Sequence, residues 1–196
     1  MPLLGRELEL FPNDGLDLPE AEVPWHVAHT RSRQEKSLAR HLASRSVPFY
    51  LPRYEKRTRR SGRTFVSYLP LFAGYVFFRG GPAERQTALR SHVVVRVLEV
   101  KDQVLLANEL RHLRALQLSG ASIMPRADLV PGDPVRIVDG PLKGQTGVVL
   151  RDQGRLRLVV SITMLRQAVA AEFDRSALLP VAPVGHGGRD SRSAVA

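Results

Sequence analysis

The amino-acid sequence predicts an α+β chain built from two parts, an α/β sandwich followed by a small all-β barrel. Two observations carry this prediction. Helical and strand-like patterns alternate up to about residue 120, whereas the helical period vanishes beyond about residue 130. Several short strands separated by turns that contain Gly or Asp are typical of a small barrel. The order of elements in the first part predicts a mostly antiparallel sheet with helices packed against it.

The first part opens with a strand-like run, Trp25–Thr30, and a helix signal follows it. Ser32 and Glu35 have the spacing of a capping box, in which the two side chains satisfy free amide groups at a helix start. Apolar residues then share one helical face, namely Leu38, Ala39, Leu42 and Ala43. The sequence therefore predicts a helix that ends near Arg45.

A hairpin with a basic tip is predicted next. Two strand-like runs, at residues 49–54 and 64–69, flank a segment crowded with arginine and lysine. Ser61 and Gly62 mark a tight turn between the runs, because glycine adopts positive φ without steric cost. A continuous apolar run at residues 74–78 then predicts a buried strand.

The end of the first part is predicted from boundary residues and periodicity. Pro82 suits the first turn of a short helix that reaches about Ser91, and a strand is expected at residues 93–98. The spacing of three leucines on one face predicts a last helix, with Asn108 as candidate cap and Gly120 as stop signal. These leucines are Leu110, Leu113 and Leu116.

These patterns divide the chain into five segments. An acidic extension, expected to be loosely ordered, covers residues 1–23. The sandwich covers residues 24–120, a linker covers 121–130 and the barrel covers 131–182. The barrel strands are expected at residues 135–138, 146–150, 156–162 and 168–173. Residues 183–196 are rich in Gly, Ser and Arg and are expected to be disordered.

The composition indicates a soluble cytoplasmic protein with a polyanionic partner. The chain has no cysteine, no secretory leader and no run near the roughly 18 apolar residues that a membrane span requires. Its net charge is +10 and its pI about 10.9. The positive charge is concentrated between Arg31 and Arg114, which favours nucleic acid as a partner.

The sequence predicts no catalytic residue, metal site or cofactor, and therefore no enzyme. His26 and His29 are close in sequence, but residues three apart on a strand point to opposite faces of the sheet. No acidic cluster accompanies them, and no nucleophile motif or phosphate-binding loop is found.

Residues 132–149 carry the most specific motif in the chain. Apolar positions, a Gly-Pro pair and regularly placed glycines resemble a KOW motif in register. The resemblance implies an SH3-like barrel, with turns at Gly140, Pro141, Gly144 and Gly147. KOW domains occur both in NusG-type transcription factors and in some ribosomal proteins, so this motif leaves the two classes open.

Two segments of the first part resemble the NusG N-terminal (NGN) domain. Residues 25–36 are similar to its opening strand and helix, and residues 70–78 to its most recognisable segment. An NGN domain followed by a KOW domain is the order found in the NusG family, and it covers about residues 24–181 here. The resemblance implies a monomeric bacterial factor for transcription elongation.

Three functions are open at this stage. The first is an RfaH-like paralogue that acts as an antiterminator on particular operons. The acidic extension and the arginine-dense hairpin favour it. The second is the housekeeping NusG factor, which couples RNA polymerase to Rho or the ribosome. The third, from another class, is a KOW-type rRNA-binding protein.

The resemblance implies a contact with the clamp helices of RNA polymerase. The matching residues are Leu69, Pro70, Leu71, Phe72 and Tyr75. Val76 and Phe77, in the same segment, are expected to be core. For Phe72 and Tyr75, the core and the contact surface remain open alternatives. Ala73 stands where family members often have proline.

The basic hairpin lies where family members face upstream DNA or the non-template strand. Its candidate DNA-binding residues are Lys56, Arg57, Arg59, Arg60 and Arg63. Arginine can bind phosphates or guanine edges. The alternative is a solvated hairpin whose charges discourage edge-to-edge strand pairing.

The KOW domain of the family recruits other factors, such as Rho or a small-subunit ribosomal protein. The candidate contact residues are Ile162, Thr163, Met164 and Leu165. Family members often have a glycine where this chain has Met164 and Leu165, so barrel core is an alternative for this pair. The strand-like pattern of residues 156–162 predicts a permanent barrel rather than the helical hairpin of some RfaH-type relatives.

Overall fold

The structure, a computed structural model, describes residues 9–12, 16, 23–119, 123–126, 134–137, 146–152, 155–172 and 178–180. These residues form the helices α1 (Glu35–Ala43), α2 (Pro82–Leu89) and α3 (Gln103–Leu118). The strands of the N-terminal part are β1 (Leu10–Phe11), β2 (Trp25–Thr30), β3 (Phe49–Tyr50), β4 (Arg53–Arg60), β5 (Arg63–Pro70), β6 (Tyr75–Arg79) and β7 (Val94–Leu98). Those of the C-terminal part are β8 (Ile123–Arg126), β9 (Pro134–Ile137), β10 (Thr146–Asp152), β11 (Arg155–Ile162), β12 (Gln167–Glu172) and β13 (Leu178–Pro180).

The N-terminal part is an antiparallel sheet with helices on both faces, in the strand order β1-β3-β6-β2-β7. Side chains alternate along β2, so Val27 and Ala28 face opposite sides. Val27 shares a buried cluster with Leu110 of α3, whereas Ala28 shares another with Leu38 of α1 and Ala88 of α2. The predicted α+β sandwich is confirmed.

The C-terminal part is a six-stranded antiparallel sheet in the order β13-β9-β10-β11-β12-β8. The four predicted strands are present as β9, β10, β11 and β12. Residues 155–162 are a strand, as the pattern predicted, and not a helix. Two strands were not predicted: β13, and β8, which lies inside the predicted linker and pairs with β12.

The acidic extension is more ordered than predicted where it is described. Leu10 and Phe11 pair with Tyr50 and Phe49 and add β1 to the edge of the sheet. Leu10 and Leu16 are buried in the cluster below α3. The apolar residues between the acidic ones therefore anchor this segment. The other residues of 1–23, and the tail at 183–196, lie outside the described residues.

Two predicted helix caps are wrong. Helix α1 begins at Glu35 itself, its N-cap is Gln34, and no side-chain hydrogen bond caps it. Helix α3 begins at Gln103 rather than after Asn108. The carboxylate of Asp102 caps it by accepting a 2.8 Å hydrogen bond from the amide of Leu105. The predicted stop, Gly120, lies outside the described residues. Among the described helices, none is long and apolar enough to cross a membrane.

Candidate functional site

The basic hairpin is a ribbon formed by β4 and β5, which pair only with each other among the strands that the structure describes. Their register runs from Arg53 opposite Pro70 to Arg60 opposite Arg63. The two turn residues both have positive φ, 47° at Ser61 and 76° at Gly62, as in a type I′ turn. This turn matches the right-handed twist of the two strands, so the predicted tight turn is confirmed.

The ribbon exposes its whole outer length. Residues 55–67 are solvent-exposed, and they include all five predicted DNA-binding residues. The carboxylate of Glu55 accepts a 2.5 Å hydrogen bond from the Nε of Arg57, and this contact raises the pKa of the Arg57 guanidinium. The other four predicted DNA-binding residues are Lys56, Arg59, Arg60 and Arg63. The ribbon therefore presents a dense positive charge to solvent.

The predicted polymerase-contact segment is split between core and surface. Leu71 is buried, and Phe72 is only 1% exposed, with its ring edge-on to Phe77 at a centroid distance of 6.0 Å. Leu69, Pro70 and Tyr75 are half-buried. The core alternative therefore applies to Phe72 in this arrangement, whereas Tyr75 presents part of its ring to solvent.

The turn between Phe72 and Tyr75 is fixed by three hydrogen bonds. Gly74, at φ 84°, donates its amide to the Oε1 of Glu35 at 2.6 Å. Its carbonyl accepts from the amide of Thr30 at 2.8 Å, and the amide of Tyr75 donates to the carbonyl of Phe72 at 3.1 Å. Buried Glu35 thus links the start of α1 to the turn that orients Tyr75.

Tyr75 belongs to a row of three side chains across the sheet. The ring of His29 stacks on that of Tyr75 at a centroid distance of 5.1 Å, and Arg96 lies opposite His29 on the other side. His29 and Tyr75 are half-buried, and Arg96 is exposed. From the sequence alone, His29 is a candidate only for a metal site, which its spacing from His26 argues against. The alternation along β2, which puts His29 on the face of Val27, was the signal that could have identified it.

The predicted factor-recruiting residues lie against α3 of the N-terminal part. Ile162 has no exposed surface, and Met164 and Leu165 pack on the same buried cluster as Leu110 and Leu113. Residues Thr163–Leu165 form a short 3-10 helix that ends at Arg166, with a left-handed φ of 52°. These residues therefore connect the two parts in this arrangement.

A polar contact accompanies this apolar one. The amide of Thr163 donates to both carboxylate oxygens of Glu109, at 3.0 and 3.2 Å, and the Thr163 hydroxyl donates to Oε1. Burial raises the pKa of the Glu109 carboxyl, although the hydrogen bonds from Thr163 lower it. Glu109 is therefore protonated more readily here than in water.

The predicted KOW turn residues are only partly described. Gly140, Pro141 and Gly144 lie outside the described residues. Gly147 is not in a turn, because it lies within β10 opposite Val135. Among the residues that the structure describes, no group of His, Asp or Glu could hold a metal ion.

The N-terminal part matches a known protein family. Residues 23–111 match the family model described as "Transcription termination factor nusG". The transcription termination/antitermination protein NusG of Thermus thermophilus is 25% identical over an alignment of 178 residues, which covers 78% of this chain and 97% of the relative.

Two solved structures are also similar. One, described as "Domain interaction in Thermotoga maritima NusG", covers 82% of this chain and 98% of its own, at 19% identity and a TM-score of 0.48. The other, a crystal structure of the MjSpt4:Spt5 complex, covers 80% of this chain and 96% of its own, at 16% identity and a TM-score of 0.29.

The matching family model, which describes a transcription termination factor, spans β2 to the middle of α3. The N-terminal part of this chain therefore matches the NusG family.

Proposed function

We propose that this chain is an elongation and antitermination factor that binds RNA polymerase and changes pausing and termination on particular operons. The observation that carries the proposal is the basic ribbon on an N-terminal part that matches the NusG family. Five exposed cations on one hairpin suit a polyanion, since each phosphate contact releases counterions. The DNA at the transcribing polymerase is the polyanion that a factor bound there would meet.

We place the polymerase contact on the surface around Tyr75. Leu69, Pro70 and Tyr75 keep exposed surface, whereas Leu71 and Phe72 are buried. The stacked ring of His29 and the hydrogen bonds at Gly74 hold Tyr75 in place before any partner arrives. A contact that is already ordered loses little conformational entropy on binding. The clamp helices of RNA polymerase are the proposed partner.

The proposed mechanism is selective binding of one polymerase state. A ligand shifts a conformational equilibrium only by its difference in affinity for the two states. A factor held on the clamp by the surface around Tyr75, with its ribbon on upstream or non-template DNA, would favour the closed, forward-translocated enzyme. Pausing would then decrease, and terminators would be read through.

Recruitment through residues 162–165 requires the two parts to separate. Ile162 is completely buried, and Thr163 is bonded to Glu109 on α3. A partner such as Rho or a small-subunit ribosomal protein cannot reach Ile162 while this contact persists. We therefore propose that the C-terminal part leaves α3 before it recruits a second factor.

A housekeeping NusG role is the second candidate. It is favoured by the alignment with the Thermus protein, which covers 97% of that relative. The two candidates differ in template choice, because a housekeeping factor acts on every template, whereas a specialised factor requires particular sequences.

Single-round transcription with RNA polymerase from the same organism tests the proposal. We expect altered pausing or terminator read-through when the protein is added, with the effect lost in Tyr75→Ala. An effect on all templates would support the housekeeping role. No effect and no binding to polymerase would overturn both, and co-purification with ribosomal subunits would then favour an rRNA-binding protein.

A further inference from the structure

The register of the ribbon divides its side chains between two unlike faces. Residues opposite each other share a face, and successive residues alternate. Phe65 lies opposite Thr58, so its face also carries the residues two positions away on each strand. We call this the Phe65 face: Lys56, Thr58, Arg60, Arg63, Phe65 and Ser67. The Val66 face carries Glu55, Arg57, Arg59, Thr64, Val66 and Tyr68.

The two faces differ in charge. The Phe65 face has three cations and no carboxylate. On the Val66 face there are two cations, and Glu55 is paired with one of them, Arg57. The stronger positive potential therefore surrounds Phe65.

Phe65 is exposed at the centre of this charge. Its side chain is 52% exposed, on the two-stranded ribbon of β4 and β5. The pair Arg60 and Arg63 lies two residues beyond it towards the tip, and Lys56 lies near the base of the same face. Two residues along a strand span roughly 7 Å, so the cations flank the ring within reach of one bound nucleotide.

An aromatic ring between cations favours single-stranded nucleic acid over a duplex. Nucleic-acid bases stack on exposed aromatic rings when the strand is single, and cations beside the ring bind the phosphates. In a duplex the bases are stacked on each other and present only their edges in the grooves. The Phe65 face therefore fits a single strand and not a duplex.

We propose that the Phe65 face is a base-stacking site for single-stranded nucleic acid. One base lies on the ring of Phe65, and Arg60, Arg63 and Lys56 hold the neighbouring phosphates. The Val66 face adds charge but no stacking. This inference rests on the proposed contact between ribbon and DNA, and it adds both the strand state of the ligand and the residue that binds a base.

The test uses the full chain and fluorescently labelled oligonucleotides of about twelve nucleotides. Fluorescence anisotropy at low salt would compare oligothymidylate, oligouridylate, a base-free sugar-phosphate oligomer and a DNA duplex. The variants are Phe65→Ala, Phe65→Trp and Val66→Ala. Val66 is a matched control because it is 50% exposed, adjacent in sequence and on the opposite face.

We expect Phe65→Ala to weaken binding of the single strand by about 5- to 100-fold, and Val66→Ala to change it by less than about 2-fold. Phe65→Trp should retain the affinity, with its fluorescence quenched by the stacked base. Removing the bases should weaken the wild type but not Phe65→Ala. Preference for either oligothymidylate or oligouridylate over the base-free oligomer supports the stacking site.

Three results would overturn the stacking site: equal losses in Phe65→Ala and Val66→Ala, equal binding of the base-free oligomer by the wild type, or a preference for duplex. In the last two cases a loss of binding on replacing Arg57, Arg59, Arg60 and Arg63 with Ala would still support the proposed charge contact. If the wild type binds none of the oligonucleotides, both the stacking site and the charge contact fail.

Discussion

The carboxylate of Glu35, at the start of α1, accepts a 2.6 Å hydrogen bond from the amide of Gly74, which lies 39 residues further along the chain. Glu35 is buried, so this bond replaces the water that both groups would otherwise bind. Together with the backbone bond from Thr30 to Gly74, it fixes the turn between Phe72 and Tyr75. The geometry at Tyr75 therefore depends on a residue outside its own segment.

Replacing Glu35 with Ala should destabilise the turn. The amide of Gly74 would lose its acceptor in a partly buried position, and an unsatisfied group of this kind costs about 1–3 kcal/mol. Urea denaturation should show this loss, and hydrogen exchange at the Gly74 amide should accelerate. Glu35→Gln keeps an acceptor oxygen and should lose less. Equal stability of Glu35→Ala and the wild type would show that the hydrogen bond contributes nothing.

Phe72 and Tyr75 should respond differently to replacement by Ala. Removing the buried ring of Phe72 should lower the free energy of unfolding by about 3–5 kcal/mol. Tyr75 is half-buried, so Tyr75→Ala should cost less stability while abolishing the effect on pausing. Thermal unfolding and polymerase binding, measured on both variants, separate the two roles. Normal polymerase binding by a folded Tyr75→Ala protein would place the contact elsewhere.

The ribbon arginines should govern salt-dependent DNA binding. Replacing Arg57, Arg59, Arg60 and Arg63 with Ala should weaken DNA binding and pause suppression without unfolding the protein, since all four are exposed. If the wild type engages four phosphates on a single strand, the slope of log K against log salt should lessen by about 3 in the variant.

A control variant removes the same charge elsewhere. Its four arginines are also exposed, and they lie on or beside α1 and α2: Arg40, Arg45, Arg85 and Arg90. We expect the control to keep the salt slope. If the control and the ribbon variant lose binding equally, net charge and not the ribbon is responsible.

The contact between α3 and the C-terminal part should weaken as the pH rises. Burial raises the pKa of Glu109, so the contact favours the protonated carboxyl. The stabilisation that this protonation gives to the contact is fully present below the ordinary glutamate pKa of about 4.3. It is lost as the pH rises through the raised pKa. NMR relaxation should show the two parts tumbling together at low pH and at increasingly different rates towards neutral pH. Glu109→Gln carries no charge, so its tumbling rates should not depend on pH in this way. If the pH dependence persists in Glu109→Gln, Glu109 is not its cause.

The sequence predicted the structural features that depend on residues close together in the chain. Ser61 and Gly62 specify their turn locally, and the leucines of α3 specify its buried face by their spacing. It did not predict contacts between distant segments. Glu35 has the spacing of a capping box, but its carboxylate bonds to Gly74 instead. Likewise, no local pattern indicates that Ile123 belongs to a strand, because its partner β12 lies more than forty residues away.

The candidate site residues likewise divide into those exposed by local structure and those covered by distant segments. The ribbon cations were predicted because a charged hairpin tip is exposed by its own geometry. For Phe72 the sequence left core and surface open, and burial of Ile162 was not predictable, since the residues that cover it are remote in sequence. The row of Tyr75, His29 and Arg96 required the strand order, which brings three separate segments side by side.

Strand β1 covers an edge of the sheet at which molecules could otherwise associate in concentrated solution. Leu10 and Phe11 occupy the backbone hydrogen-bonding edge of β3, which would otherwise be the last strand on that side of the sheet. An unoccupied edge of this kind is a template for a strand from another molecule. Leu10 and Phe11 thus cover this edge, and deleting them would be expected to lower solubility before it lowers activity.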